Sequence, residues 1–252
     1  MRLTGKYTFL SVVAAIVLAP SFTTAAPFPV NRWSFDAAAG GAPDGTVVPD
    51  LIGGADGVIR GAGASWSGTD VVLPGGSSDS AAYVDLPNGL ISGHTAVTLE
   101  GWYTVNGATN WARVFDFGST QPGGASGEVT GPGNTNGGGT QGLDYIILSA
   151  SRGTNTAQQR VEFRSEDPGG GGTSTFDSNI ATVLGQEIHF AVTWDSSDGV
   201  NTIVDHYRDG VRVAGGVAGG NHRNRGFQMF VGQDRLFDLR ELHQLFGELS
   251  RG

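Results

Sequence analysis

Two segments of this sequence alternate apolar and polar residues with a period of two, and this alternation constrains the fold more than any other feature. In Ala96–Val105, one side carries Val97, Leu99, Gly101, Tyr103 and Val105. In Glu187–Asp195, one side carries Ile188, Phe190, Val192 and Trp194. Successive side chains of a strand point to opposite faces, so each segment predicts a strand with one buried face. Such strands are typical of antiparallel sheets that pack on a shared core.

Further short runs of β-branched and aromatic residues lie between many of the 42 glycines, a pattern typical of short strands joined by tight turns. Asp209-Gly210 separates two such runs, and Asp-Gly favours the positive φ angles of a type I′ hairpin turn. The sequence therefore predicts an all-β fold, a two-sheet antiparallel β-sandwich. The predicted strands are Asn31–Phe35, Gly57–Arg60, Val71–Leu73, Ala82–Leu86, Ala96–Val105, Ala112–Phe117, Asp144–Ala150, Gln159–Arg164, Glu187–Asp195, Thr202–Arg208, Val211–Ala214 and Gln228–Gly232.

The first residues have the order of a secretory signal peptide. Arg2 and Lys6 precede an apolar run from Thr8 to Ala19, and small residues follow. The run is shorter than the roughly 20 residues that a membrane-spanning helix needs. We therefore expect a signal peptide over residues 1–25, cleavage after Ala25, and secretion of one domain over residues 26–252 without a membrane span.

Charge and cysteine content exclude several classes of function. The chain has 15 basic and 24 acidic residues, a net charge of −9, and the predicted leader contains two of the basic ones. Binding to nucleic acid calls for a clustered basic surface, so we expect no nucleic-acid partner. The chain contains no cysteine, which excludes disulfides, thiolate zinc sites and thiol catalysis.

A series of short motifs, spread over nearly the whole predicted domain, resembles the strands of bacterial laminin-G-like domains. These domains have the concanavalin A-like jelly roll. No single motif is specific, but their order and spacing match the family. The motifs lie in Asn31–Phe35, Gly53–Gly57, Tyr83–Ser92, Thr98–Trp102, Ala112–Gly118, Ile188–Asp195, Tyr207–Val211 and Phe230–Gln233.

The resemblance also implies a calcium site near the two ends of the domain. Calcium prefers carboxylate and carbonyl oxygens, and the matching positions are Asp36, Asp50 and Glu248. Aspartates at these positions are equally typical of ordinary turn caps. We therefore expect calcium as the one possible cofactor.

The closing segment departs from the family pattern. The family ends on a strand that returns beside the first strand, and the nearest match here is Phe246–Arg251. Leucines at 236, 239, 242, 245 and 249 recur at helical spacing, so Arg235–Leu249 also fits an amphipathic helix. The sequence leaves a helix and a loop followed by a strand as open alternatives.

Two patterns bear on catalysis. Glu162 and Glu166 have the spacing of paired carboxylates in glycosidases of similar fold. Polysaccharide lyases of similar fold resemble this chain in an arginine-bearing strand, here Arg160–Arg164, and in a Gln-x-His strand, echoed by Gln186 and His189. The tyrosine-bearing strand of those lyases has no match in this chain. We therefore expect no catalytic site. If the protein is an enzyme, the candidate catalytic residues are Glu162, Glu166 and His189.

The five tryptophans divide into two groups. Trp33, Trp102 and Trp194 lie within predicted strands and are expected in the core. Trp66 and Trp111 lie beside loops and are the candidates for a platform on which a sugar ring stacks. On the strand Ala112–Phe117, Arg113 and Asp116 are an odd number of positions apart, which predicts opposite faces.

The sequence therefore predicts a secreted, monomeric and non-catalytic module of laminin-G-like type. Its expected function is carbohydrate binding or adhesion, and its expected partner is a glycan or an extracellular protein. The alternative is a polysaccharide-degrading enzyme, a lyase or a glycoside hydrolase, on the same fold.

Overall fold

A computed structural model describes residues 28–76, 81–87, 89–91, 94–107, 110–119, 144–152, 158–164, 172–218, 228–231 and 235–245. The predicted leader over residues 1–25 lies outside these residues. The described part is all strand and turn, and so contains no helix that could cross a membrane. Its strands, in chain order, are β1 Pro29–Trp33, β2 Gly40–Gly41, β3 Val47–Val48, β4 Gly57–Arg60, β5 Ser65–Trp66, β6 Val71–Gly75, β7 Tyr83–Leu86, β8 Ala96–Val105, β9 Arg113–Ser119, β10 Asp144–Ser149, β11 Gln158–Arg164, β12 Thr173–Ala181, β13 Glu187–Asp195, β14 Thr202–Arg208, β15 Val211–Ala218, β16 Gln228–Val231 and β17 Arg235–Leu245.

The strands form two antiparallel sheets, which confirms the predicted two-sheet β-sandwich. Sheet A has the order β15-β14-β13-β8-β17-β6-β5-β2, with β1 also paired to β17. Sheet B has the order β12-β11-β10-β9-β16-β7-β4-β3. The edge strands β12 and β15 contact each other at one side of the sandwich.

The core lies between the sheets and follows the alternation of the sequence. The predicted apolar sides of β8 and β13 are buried, and their outward residues are only partly covered. Aromatic rings join the two layers: the ring centroids of Phe115 and Phe190 are 5.9 Å apart, and those of Phe163 and Trp194 are 6.1 Å apart. Trp33 and Trp194 are buried as predicted, whereas Trp102 lies on the outward side of β8.

Strict alternation predicts strand boundaries well in this chain. Strands β4, β8, β13 and β14 coincide with their predicted ranges. Asp209 and Gly210 have φ angles of 50° and 78°, so the predicted Asp-Gly hairpin turn between β14 and β15 is confirmed. The sequence did not predict β12, whose residues are largely polar and exposed, or the two-residue strands β2, β3 and β5.

The closing segment Arg235–Leu245 is a strand, so the helical alternative is wrong over these residues. β17 pairs with β8, and its other side is shared between β6 and β1. The register with β8 shifts between Leu239 and Glu241, so that Leu239 lies opposite Tyr103 and Leu242 opposite Gly101. This bulge adds one residue to the strand, so Leu239 and Leu242 lie opposite same-side residues of β8 although they are an odd number of positions apart. The family-like match at Phe246–Arg251 lies outside the described residues.

A histidine is enclosed between the sheets near the β12 and β15 edges. His206 on β14 is fully buried, and neither ring nitrogen has a hydrogen-bond partner within the described residues. Burial, together with the charge of Arg208, lowers the pKa of His206 from 6.5 to about 4. The native state therefore holds this imidazole in its neutral form at neutral pH.

We predict that His206 makes the fold sensitive to acid. Between pH 6.5 and about 4, the unfolded chain binds a proton that the native state excludes, so the free energy of unfolding falls as the pH falls. The loss over this window amounts to about 3 kcal/mol. Urea unfolding measured across the window should show this slope in the wild type and a much flatter one in His206→Phe. Equal slopes in the wild type and His206→Phe would contradict the prediction.

Candidate functional site

The side of sheet B that points away from the core combines charged side chains with buried positions, since Ile147 is 3% exposed and Glu162 is 6% exposed. Phe115, Leu148 and Val161 on β9, β10 and β11 belong to the core. Residues opposite each other in an antiparallel sheet share a face, so the alternate positions point away from the core. In one row across the sheet, Asp116 lies opposite Ile147, and Ile147 lies opposite Glu162.

A bulge brings Arg113 onto the same face as Asp116. Leu148 pairs with Phe115 and Ser149 with Arg113, so Val114 is the extra residue of β9. The Nε atom of Arg113 lies 2.8 Å from Oδ2 of Asp116. The predicted opposite faces are therefore wrong, because an inserted residue restores the same side at an odd spacing.

Arg160 and Asp177 form a two-pronged ion pair next to this row. They lie opposite each other on β11 and β12. Arg160 donates from Nε to Oδ1 at 2.6 Å and from Nη2 to Oδ2 at 3.0 Å. The Nη1 group of Arg152 also donates to Asp177. The hydrogen bonds from Arg160 lower the pKa of Asp177, and the same bonds raise the pKa of Arg160, so both groups stay charged and fixed.

Glu162 is held between a tyrosine and an arginine. The hydroxyl of Tyr145 on β10 donates to Oε1 of Glu162, and Nη1 of Arg160 lies 3.4 Å from Oε2. Burial raises the pKa of Tyr145, and its hydrogen bond to Glu162 raises it further, so the phenol stays protonated. Glu162 is therefore an oriented acceptor with both oxygens engaged.

Trp111 lies against this cluster and offers a partly exposed ring. It sits in the turn that leads into β9, where its backbone N–H donates to the carbonyl of Ser151 at 2.8 Å. The Cζ atom of Arg160 is 5.7 Å from the centroid of the indole. The residue is 36% exposed. A tryptophan ring beside a fixed guanidinium provides an apolar surface next to hydrogen-bond donors.

The backbone of Trp111 is strained. Its φ angle is +66°, in the left-handed region that bulky side chains rarely adopt. Phe35 also has a positive φ, of 52°, but its side chain is buried in the core. Core packing therefore explains the conformation of Phe35 and does not explain that of Trp111. Backbone strain without a packing reason is concentrated at functional positions in proteins.

The second predicted platform, Trp66, does not have this geometry. Trp66 is 8% exposed and belongs to the core cluster on β5. A ring buried in the core cannot offer its face to a sugar. Trp66 is therefore a core residue and not the predicted sugar-binding platform, because the loops beside it leave its ring buried.

The alternative catalytic residues are not brought together. Glu162 lies on the outward face of sheet B. His189 lies on the outward face of sheet A, with its ring centroid 4.6 Å from that of Trp102. The core separates these two faces, so no single substrate group contacts both side chains. Glu166 lies outside the described residues.

The Asp50 carboxylate is not arranged as a calcium ligand. Its Oδ1 accepts hydrogen bonds from the backbone N–H groups of Arg32 and Ile52, and its Oδ2 accepts from Ala55 and from the amide of Asn31. Burial raises the pKa of Asp50, but these hydrogen bonds outweigh it and hold the pKa below its usual value. Four donors already surround both oxygens, so Asp50 acts as a loop anchor.

Of the other two predicted calcium ligands, Asp36 lies within the described residues and Glu248 does not. Oδ1 of Asp36 accepts a hydrogen bond from the Ser34 hydroxyl. Among the described side chains, no group of three or more His, Asp or Glu residues is arranged to hold a metal ion. Calcium binding stays a prediction.

Sequence reasoning missed several members of the sheet B cluster. Tyr145, Arg152 and Asp177 carry no motif of their own, and Asp177 lies on the unpredicted strand β12. Only the pairing of β10, β11 and β12 places them beside Glu162 and Arg160.

Comparisons with known proteins bear on the fold. No family model and no curated protein matches the sequence at a significant level. Domain 4 of AbnA, a GH43 extracellular arabinanase from Geobacillus stearothermophilus solved with arabinotriose, matches with a TM-score of 0.57 at 18% identity, over 88% of this chain and 93% of that domain.

Two further solved structures share the fold over part of their length. The binding domain of botulinum neurotoxin DC in complex with SialylT has a TM-score of 0.55 at 10% identity, over 88% of this chain and 48% of that one. Trypanosoma rangeli sialidase has a TM-score of 0.52 at 13% identity, over 86% of this chain and 30% of that one. The chain thus spans less than half the length of both. At these identities the similarity shows a shared β-sandwich fold.

We predict that Trp111→Gly leaves the stability of the fold nearly unchanged. Glycine adopts a positive φ without strain, so the relief offsets the lost indole contacts, and the free energy of unfolding should change by less than about 1 kcal/mol. Trp66→Gly should in contrast cost roughly 3 kcal/mol or more, because it empties a core position. Thermal and urea unfolding of both variants measures this. A Trp111→Gly loss as large as that of Trp66→Gly would show that the ring is structural.

Proposed function

We propose that this protein is a secreted, non-catalytic carbohydrate-binding or adhesion module of laminin-G-like type. Its glycan site is the outward face of sheet B, centred on Trp111 and the Arg160–Asp177 pair. The observation that carries the proposal is the strained and partly exposed Trp111 beside a fixed ion pair. Sugar sites commonly combine one aromatic face with a few oriented polar groups.

The polar groups of this face suit hydroxyl ligands. The two-pronged contact with Asp177 fixes the orientation of the Arg160 guanidinium, and Arg152 donates a further hydrogen bond to Oδ2 of the same carboxylate. Preformed donors and acceptors of this kind bind without ordering new side chains, which reduces the entropic cost of association. Indole then contributes the apolar contact with the ring C–H groups of a sugar.

Two of the similar structures support the proposal by their ligands. The AbnA domain is solved with arabinotriose, and the neurotoxin binding domain with SialylT. The laminin-G-like type of the proposal comes from the motif resemblance, and secretion comes from the predicted leader over residues 1–25. Calcium binding at Asp36 and Glu248 is part of the proposal. Its test is to compare glycan binding measured with calcium and without calcium.

One observation favours the enzymatic alternative. Tyr145, Glu162 and Arg160 place a protonated hydroxyl, a carboxylate and a cation together on one face. Proton transfer at a sugar ring uses groups of these types. The test is incubation with arabinan, alginate and pectin and detection of new reducing ends or unsaturated products. Activity that disappears in both Tyr145→Phe and Glu162→Gln would establish catalysis at this face in place of binding alone.

We predict that glycan binding depends on Trp111. Residues 26–252 should bind at least one family of ligands on a glycan array that includes arabinotriose and SialylT, with and without calcium. Trp111→Ala should weaken this binding at least tenfold, because it removes the ring contact, which corresponds to about 1.4 kcal/mol or more.

The matched control is Trp102→Ala, on the outward face of sheet A, which should bind as the wild type does. No binding in either calcium condition would refute the carbohydrate proposal. Equal losses in the two tryptophan variants would instead place the site elsewhere.

A further inference from the structure

The edge strands β12 and β15 contact each other and close one side of the sandwich, and we call this contact the seam. Phe176 of β12 packs against Gly216 of β15, where a Cβ atom would lie 3.2 Å from Cε1 of the ring. The buried side chain of Arg208 on β14 also reaches the seam. Its Nη1 group donates to the carbonyls of Ala181 at 2.7 Å and Ile180 at 3.4 Å, both on β12. A packed ring and a buried guanidinium therefore hold the seam.

β12 is irregularly paired at the point where Arg208 holds it. In the register with β11, Asp177 lies opposite Arg160 and Ala181 lies opposite Gln158, so β12 has three residues between these pairs where β11 has one. A bulge of this kind interrupts the ladder of backbone hydrogen bonds. Loss of the Arg208 contacts would therefore free this part of β12 more readily than it would free a regularly paired strand.

His206 lies beside Arg208 in the interior of the sandwich. The two residues are two positions apart on β14, so their side chains share the buried face of the strand. Neither ring nitrogen of His206 has a hydrogen-bond partner within the described residues. A protonated imidazole at this position would be a second buried cation next to a guanidinium, with no described acceptor for its N–H groups, which is a costly arrangement.

The strands packed against His206 supply no described carboxylate on the inner side. Val192 on β13 and Ala214 on β15 lie opposite it. Burial raises the pKa of Tyr103 on β8, so this phenol is neutral. The other polar or charged groups nearby are Gln159 on β11, which donates to Tyr103, Asp209 at 3.5 Å from Arg208, and the outward ion pairs Asp205–Arg212 and Asp177–Arg160.

We propose that protonation of His206 opens the seam, and that a glycan bound beside Trp111 keeps the seam closed. Opening lets water reach both cations and frees β12. Asp177 then leaves Arg160, the guanidinium next to the Trp111 ring. Because the glycan site needs Asp177 to orient Arg160, proton and glycan favour opposite states of the same strand.

The two halves of this inference have different foundations. Opening by acid depends only on the buried His206 and the Arg208 contacts with β12. The effect of the glycan rests on the proposed carbohydrate function and adds regulation to that site. The experiment therefore measures β12 first without ligand and then with it.

The test is hydrogen exchange at the backbone amides of β12, divided at each pH by the exchange rate of an unstructured chain. The pKa of His206 is about 4 in the closed state and returns to 6.5 on opening, so the opening equilibrium should increase about 50-fold between pH 7 and pH 4.5. Arg160 holds the pKa of Asp177 below its usual value, so this ion pair stays charged in the window. The amides of β8 and β13 serve as the internal control, because they should exchange more slowly, through unfolding of the whole sandwich.

The matched variant is His206→Gln, which keeps a polar side chain but has no group that titrates. Its β12 exchange should change less than about threefold over the same pH window. If His206→Gln fails to fold, which its melting temperature reveals, His206→Phe takes its place with the same expectation. Equal pH dependence in the wild type and the variant, or β12 exchange no faster than that of β8 and β13, would overturn the opening of the seam.

The second arm adds the best-binding oligosaccharide of the glycan array at 100 times its Kd. A ligand that binds only the closed state should slow β12 exchange about 100-fold. Acid-dependent exchange that this ligand does not slow would overturn the link to the glycan site and leave the opening by acid intact. Absence of glycan binding on the array would overturn this link together with the proposed function, while β12 exchange without ligand still decides the role of His206.

Discussion

Aromatic packing between the two inner faces is the constraint on which the rest of this structure depends. Phe115 and Phe163 of sheet B meet Phe190 and Trp194 of sheet A, all of them buried. Burial of large aromatic side chains dominates the energy of a core. Because strand side chains alternate, fixing these inward positions also fixes every outward one, since a one-residue slip would reverse both faces.

The two outward faces that follow from this constraint differ in chemistry. On sheet A, the Trp102–His189 ring pair is a local contact beside Glu100. On sheet B, pairs of arginine and carboxylate extend over many strands and end at Trp111. Trp111, at the end of this array, is partly exposed and has a strained backbone that core packing does not explain, which points to a requirement other than folding.

The sequence predicted those parts of the fold that obey strict alternation. β8 and β13 follow the alternation along their whole length, and both were assigned with their full ranges. The same reasoning fails where a β-bulge interrupts the alternation. One bulge shifts the register of β17 after Leu239, and another puts Arg113 on the side of Asp116. Both are decided by tertiary pairing, which a local pattern does not contain.

The candidate site was predictable only in part, for a related reason. Trp111 and Trp66 have similar settings in the sequence, and only the folded chain shows one ring partly exposed and the other in the core. Glu162 and His189 occur on strands of suitable composition, yet these strands belong to different sheets. Which strands become neighbours determines which side chains meet, and that information is non-local.

Binding of a glycan beside Trp111 on sheet B can be mapped by the amide and indole chemical shifts of the labelled protein, titrated with the best-binding oligosaccharide of the array. We expect the largest shifts at the Trp111 indole and along β9, β10, β11 and β12, with little change in β8 and β13. Largest shifts at Trp102 and His189, or in the loop around Asp36 and Asp50, would contradict it.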